Sequence, residues 1–502
     1  MSSTRKNILA NYLGQGWSAL MAVAFLPLYI RYLGVEAYGL IGLFAVVQAL
    51  MLVIDMGIAP ALNREMARFS AGLSDVRYIR DLLRSLEIIC FGFAALMTVV
   101  AWAFSDYLAR GWLNSVHLSP LSVAHALILM TLVAGLRLCE SLYRGCLYGL
   151  EHQVWFNAAS TILTTLRYLG ALGVLVFFSP TLQAFFVWQA ILSVLTLLLF
   201  SWRVYISLPE IVWRSRFSTK ALAEIGSFAG GMIGIACVTM LFLQIDKIIL
   251  SRFFSLKDLG YYSLAATAAN IIFIIAIPVT QAIYPRLVRI SSGVDEIERN
   301  ALYRKTMQLT AVLLGSASML LCFFSSGVIY MWSGSAELVS ATAPLLSILV
   351  LGSFLNGLAY LPGQLQIASG SPQRLLLIST FVLIIFVILV IYLTPIFGLK
   401  GAAWAWLVGN TVYLGLIHAT APYPSGKRLK SIWFSADVML PTIASVVVML
   451  VGIQLQPSGF SDRLRWASFL VVTGLFALAI STMTTSLLRQ QVVGLLRAKS
   501  IK

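Results

Sequence analysis

Apolar residues run through this chain in stretches of about 20, separated by short polar turns that carry most of the charge. The hydrocarbon core of a bilayer is about 30 Å thick and a helix rises 1.5 Å per residue, so each stretch is long enough to cross it. Such runs cover roughly residues 8–30, 40–62, 83–104, 120–142, 155–178, 182–202, 226–249, 261–284, 307–331, 338–361, 375–397, 401–421, 433–455 and 466–488, fourteen in all. Hydrocarbon offers no partners for backbone N–H and C=O groups, and the period-two pattern of a membrane barrel is missing. The runs are therefore predicted to be helices, and the chain an all-α polytopic membrane protein.

Composition agrees: 60% of the 502 residues are hydrophobic and 11% are charged, with a mean hydropathy of +0.90. The net charge of +16 raises the question of a nucleic-acid partner. With the N-terminus placed in the cytoplasm, 26 of the 35 Lys and Arg fall on that side, Arg137 and Arg144 among them, and eight on the other. That asymmetry is what the positive-inside rule produces, so the basicity reports orientation, with both termini cytoplasmic, and not nucleic acid. The first run follows a basic start but is too long for a signal peptide and is expected to remain as the first helix. The five cysteines and four histidines show no disulfide or metal-ligand spacing, and no metal site is expected.

A weak internal repeat sets the domain organisation. At an offset of 221, Arg31 aligns with Arg252, Gly39 with Gly260, Leu43 with Leu264 and Ala45 with Ala266, and the turn MARFSAG at 66–72 aligns with LVRISSG at 287–293. Six helices per repeat leave both copies in the same orientation, the parallel arrangement that transporters use for alternating access. The expected organisation is an N-terminal six-helix bundle at 1–215, a second at 216–425, and an additional two-helix hairpin with a cytoplasmic tail at 426–502. The link after Pro209 is expected to lie on the membrane surface, anchored by Trp213.

The stretches PLYIRYLGVEAYGL (27–40), IDMGIAPALNREMAR (54–68) and QIDKIILSRFFSLKDLGYYSLA (244–265) resemble the polysaccharide exporter and Wzx-type oligosaccharide flippase branch of the superfamily that also holds the MATE drug antiporters and the lipid II flippase. The resemblance implies two bundles around a central cavity in a bacterial inner membrane. It further implies that an undecaprenyl-diphosphate-linked oligosaccharide moves from the cytoplasmic to the outer leaflet, for O-antigen, capsule or exopolysaccharide synthesis. Polysaccharide polymerase and export machinery are candidate partners, and no cofactor is implied beyond a proton or sodium gradient as driving force.

Such cargo needs a polar, cationic cleft. On the fifth run Asn157, Ser160, Thr164 and Arg167 recur at steps of three and four, placing Arg167 about 18 Å deep. A lipid-facing Arg there costs at least about 2.5 kcal/mol, so it is expected to face the interior. Two readings stand: it contacts the diphosphate or an acidic sugar, or it is a structural ion-pair partner. Asp55 on the second run, with Gln48 one heptad earlier, is the expected partner. Polar stripes with Asn11 and Gln15, with Asn270, and with Asn356 and Tyr360 are candidate cavity positions, interhelical hydrogen bonding being the alternative. Arg31 and Arg252 mark the outer mouth or the membrane interface, and Asp246 and Lys247 are expected to pair locally with Arg252.

Two rival functions make different demands on the sequence. In a cation-coupled multidrug antiporter of the same superfamily a lone carboxylate such as Asp55 would dominate, and a neighbouring Arg would depress its proton affinity. A membrane-integral glycan polymerase or ligase would need a sizeable outer loop, whereas the longest here is about 105–119.

Overall fold

The computed structural model describes residues 3–209, 215–277, 279–280, 296–368, 372–421, 433–457, 459–460 and 462–490. These are almost entirely helical: α1 (Ser3–Leu33), α2 (Val35–Ser70), α3 (Val76–Tyr107), α4 (Pro120–Gly149), α5 (Gln153–Phe177), α6 (Leu182–Ser207), α7 (Thr219–Phe253), α8 (Leu256–Ala269), α9 (Glu296–Phe323), the short α10 (Ser325–Ser333), α11 (Ala336–Ala368), α12 (Pro372–Phe397), α13 (Leu399–Thr420), α14 (Leu440–Leu455) and α15 (Arg463–Thr484). Local chemistry explains several starts. Ser119, Thr181 and Ser218 cap α4, α6 and α7 by accepting from the N–H of the third residue on, and Pro120 opens α4 where no N–H partner is needed. Gly34, at φ 87°, lets α2 begin one residue after α1 ends.

Among the described residues eleven helices are long and apolar enough to cross a membrane, or twelve with α2, which bends by 44° between Val35–Met51 and Val53–Ser70. The fourteen runs read from the sequence exceed this count. One that falls outside it is α13, whose apolar run is interrupted by Lys400, Asn410, Thr411 and His418; of these Asn410 is buried and accepts from Asn356 of α11, while Lys400 and Thr411 are exposed.

By contact the chain forms two compact units, Met1–Gly260 and Tyr261–Lys502. In the first, α4 lies at the centre, packed on α2, α3 and α6, while α5 packs on α1 and α6, and α7 on α2. Gly145 and Gly149, four residues apart, let α4 approach the α2 backbone: a Cβ on Gly145 would stand 2.7 Å from the Ala59 carbonyl oxygen, and one on Gly149 2.5 Å from that of Asn63. Gly145→Leu is expected to destabilise this unit by about 1–3 kcal/mol, the usual cost of overpacking, read as a lowered melting temperature in detergent. The link between halves is tied to α3 at its edges: Arg80 donates to the Leu208 and Pro209 carbonyls, and Asp81 and Ser85 accept from the Arg216 and Ser218 N–H groups. Trp213 and the second copy of the duplicated turn, 287–293, lie outside the described residues.

In the second unit α13 packs on α11 and α12, and α9 on α11. The two C-terminal helices, which have no counterpart in the repeat, are fastened to α9 by a polar seam. Arg304 makes a bidentate pair with Asp437, at 2.9 and 3.0 Å, and Gln308 donates to Asp437 at 2.7 Å and accepts from the Leu487 N–H. Deeper, Ser316, Ser445 and Ser481 form a hydroxyl chain between α9, α14 and α15. Asp437 is fully buried while Arg304 is 28% exposed. Arg304→Ala, which strands the carboxylate, is therefore expected to loosen the C-terminal hairpin by about 3 kcal/mol, seen as faster hydrogen exchange in α14 and α15.

Candidate substrate site in the first unit

The α4 sequence RLCESLYR places Arg137, Glu140 and Arg144 at i, i+3 and i+7, on one face of the helix. With 1.5 Å per residue they stand about 18, 14 and 8 Å from the Gly149 end. Arg137 and Arg144 are thus helical residues of a span, not the loop charges expected from the sequence: Arg137 lies inside the apolar stretch 120–142 itself, and α4 continues past that stretch to Gly149 and takes in Arg144. Charges at this depth face a bundle interior or a hydrated cavity, since exposure to lipid is costly.

Asp55 and Arg167 do not meet. Asp55, on α2, bonds the Arg144 guanidinium at 2.5 Å, and its second oxygen, Oδ1, has no hydrogen-bond partner among the described residues. The physical reason is azimuth: α2 turns Asp55 toward α4, whereas α5 carries Arg167 toward α4 and α6 from another side. Arg167 Nη2 instead lies 4.0 Å from Glu140 Oε2 and 3.5 Å from the Thr196 hydroxyl. Arg137 donates to Gln189 Oε1 at 3.2 Å and stacks over the Phe44 ring, 5.4 Å from its centroid. It interacts electrostatically with Arg167, Glu140 and Tyr168. Three cations and two carboxylates therefore share this part of the unit, an excess of one positive charge.

A second carboxylate cluster nearby is closed on itself. Glu87, buried on α3, accepts from the Tyr143 and Tyr205 hydroxyls at 2.8 and 2.7 Å and pairs with Arg84 at 3.2 Å. With its acceptor atoms satisfied it ties α3 to α4 and α6.

The other sequence candidates divide. Asn157 is buried, donates to the Gln153 carbonyl and abuts Gly14 of α1, so it packs helices together. Thr164 and Gln48 are half-buried. The side chains of Asn11 and Gln15 lie outside the described residues. Asn356 donates to Asn410 at 2.6 Å, the interhelical alternative, and Tyr360 hydrogen-bonds Gln364 one turn on. Asn270 is exposed at the break that ends α8. Arg31 is exposed in the last turn of α1. Lys247 donates to Gln244 at 2.9 Å, and the Asp246 carboxylate accepts from the Lys247 N–H. Arg252 lies over the Trp112 ring, 5.7 Å from the centroid, and donates to the Gly111 carbonyl.

Arg252 belongs to a clasp in which the repeat becomes physical. Gly39 and Gly260, equivalent at the offset of 221, face each other where α2 and α8 begin: a Cβ on Gly39 would strike the Leu256 carbonyl, and one on Gly260 the Val35 carbonyl. A parallel bridge between Asn114 and Ser255 and the Trp112 indole donating to Ser251 extend the contact, and Glu36 holds the Val116 and His117 N–H groups at 2.6 and 2.9 Å.

Residues 4–291 match the family model described as polysaccharide biosynthesis protein. A putative O-antigen transporter of Shigella flexneri is 23% identical over 405 residues, covering 80% of this chain and 94% of its own length. The teichuronic acid biosynthesis protein TuaB of Bacillus subtilis is 22% identical over 324 residues, 62% of this chain and 64% of its own. Among solved structures, the lipid II flippase MurJ in an inward closed conformation superposes with a TM-score of 0.72 at 13% identity, covering 95% of this chain and 98% of the other. A MATE family multidrug resistance transporter in an inward-facing conformation gives 0.61 at 15% identity, with 84% and 96% covered.

Proposed function

Because the chain belongs to the polysaccharide biosynthesis protein family, we propose that it is a transporter, not an enzyme, which flips a diphosphate-linked polyprenyl oligosaccharide from the cytoplasmic to the outer leaflet of a bacterial inner membrane. The observation that carries this reading is the cationic face of the first unit, where Arg137 of α4 and Arg167 of α5 both interact with one carboxylate, Glu140. Guanidinium groups match phosphate oxygens bidentately, which suits a cargo whose invariant part is a diphosphate and whose sugars vary. The relatives named for O-antigen and teichuronic acid, and the flippase fold, support the same assignment. In the orientation set by the basic loops, the Gly39 and Gly260 clasp lies on the outer side, so parting and closing it would serve alternating access.

A drug antiporter is disfavoured by the Asp55 geometry. Its carboxylate is already paired with the Arg144 guanidinium, whose positive charge stands where a cationic drug would have to bind. The test is a deletion strain: loss of the protein is expected to leave lipid-linked oligosaccharide on the cytoplasmic leaflet, shielded from an external periodate or lectin probe in spheroplasts, and plasmid-borne protein to restore labelling. Normal labelling without the protein, with no second exporter present, would overturn the assignment.

A further inference from the structure

Among the described residues, two of the interhelical ion pairs are tight. Arg304 with Asp437 and Arg144 with Asp55 are short, at 2.9 and 2.5 Å, and bury the carboxylate. Arg167 with Glu140 is different: the atoms stand 4.0 Å apart, the limit of an ion pair, and both side chains keep some exposure, 13% and 22%. The other neighbour of Arg167, the Thr196 hydroxyl, is 3.5 Å away and gives its proton to the Leu192 carbonyl at 2.6 Å, so it offers only a weak acceptor. Arg167 has five N–H donors, and this pair uses them poorly.

Glu140 also sits one turn from Arg137 on α4, between two guanidinium groups that repel each other. A carboxylate there relieves that repulsion without closing a tight bond to either partner. A diphosphate has more charge and more oxygens than one carboxylate and can engage both guanidinium groups at once. The two anions repel, so they cannot both occupy the space between the arginines.

We propose that Glu140 is a displaceable counter-anion: it occupies Arg167 while the site is empty, gives way to the substrate diphosphate, and returns to expel it. This rests on the reading that Arg167 and Arg137 hold the diphosphate. A competitor of this kind weakens binding and hastens release, which a transporter needs because a cargo held too well is not delivered.

The experiment uses the full-length protein in detergent and measures binding of undecaprenyl diphosphate, with undecaprenyl monophosphate as comparison. Glu140→Gln is expected to bind the diphosphate roughly tenfold more tightly than the native protein, the order of one charge–charge interaction at a partly hydrated site. It should also export polysaccharide more slowly, with Glu140→Asp restoring both properties. Arg167→Gln is expected to lose affinity with or without Glu140. If Glu140→Gln binds no more tightly while Arg167→Gln still weakens binding, Glu140 is not a competitor and the arginine reading stands. If neither substitution changes affinity in protein that melts as the native form does, both fall.

Discussion

Arg167→Ala is expected to cut export of surface polysaccharide in a deletion strain at least about 30-fold, with the protein inserted at native level. A charge-assisted hydrogen bond contributes about 1.5–3 kcal/mol, and a bidentate contact to phosphate lies at the upper end. A loss of 2–3 kcal/mol during translocation corresponds to a factor of roughly 30 to 150. Folding should suffer little, because the contacts of Arg167 to Glu140 and Thr196 are long, and its removal leaves a carboxylate that is 22% exposed. Surface polysaccharide measured by immunoblot, normalised to membrane-inserted protein, separates the two effects. Export at native levels would show that Arg167 does not touch the cargo.

The second large effect is an asymmetry within the Asp55–Arg144 pair. The carboxylate side chain is 8% exposed and the guanidinium 39%. Removing Arg144 strands a buried charge whose Oδ1 has no partner among the described residues, whereas removing Asp55 leaves an Arg that can turn to water. Arg144→Ala is therefore expected to destabilise the protein by about 2–4 kcal/mol, below the full cost of a buried pair because Arg144 is partly hydrated. Asp55→Asn should cost about 1 kcal/mol. Thermal melting in detergent reads the difference. Equal losses, or the reverse order, would mean that the pair is not the anchor between α2 and α4 described here. The charge swap of Asp55 with Arg144 should recover part of the stability, and the swap of Asp55 with Arg167 none.

Much of this was legible in the chain. Apolar runs located the helices because lipid leaves the backbone no alternative, and the repeat located Gly39 and Gly260 before their contact was known. The partner of Asp55 was not legible. Counting residues along a span gives depth, but which neighbour a side chain meets depends on how helices are rotated and packed, and α2 packs on α4 while α5 packs on α1 and α6.

Glu140 escaped for a different reason. The charges from Arg137 to Arg144 straddle the end of the apolar stretch near residue 142, so the two arginines read as a cytoplasmic turn although Arg137 and Glu140 lie inside the stretch. The signal was present: RxxExxxR keeps one helical face, and the GxxxG of Gly145 and Gly149 follows directly, which extends the packed helix beyond the apolar run. The C-terminal seam was hidden by distance in sequence, since Arg304 and Asp437 stand 133 residues apart and neither has a local partner that marks it.

Whether guanidinium groups of the first unit hold a diphosphate during translocation is read from reconstituted protein. Purified protein in liposomes is given fluorescent undecaprenyl-diphosphate oligosaccharide, and its transfer between leaflets is followed with a membrane-impermeant quencher. The native protein should flip it, and the double variant Arg137→Gln with Arg167→Gln should fall to the rate of protein-free vesicles while retaining its melting temperature. Flipping by the double variant at the native rate would contradict the account.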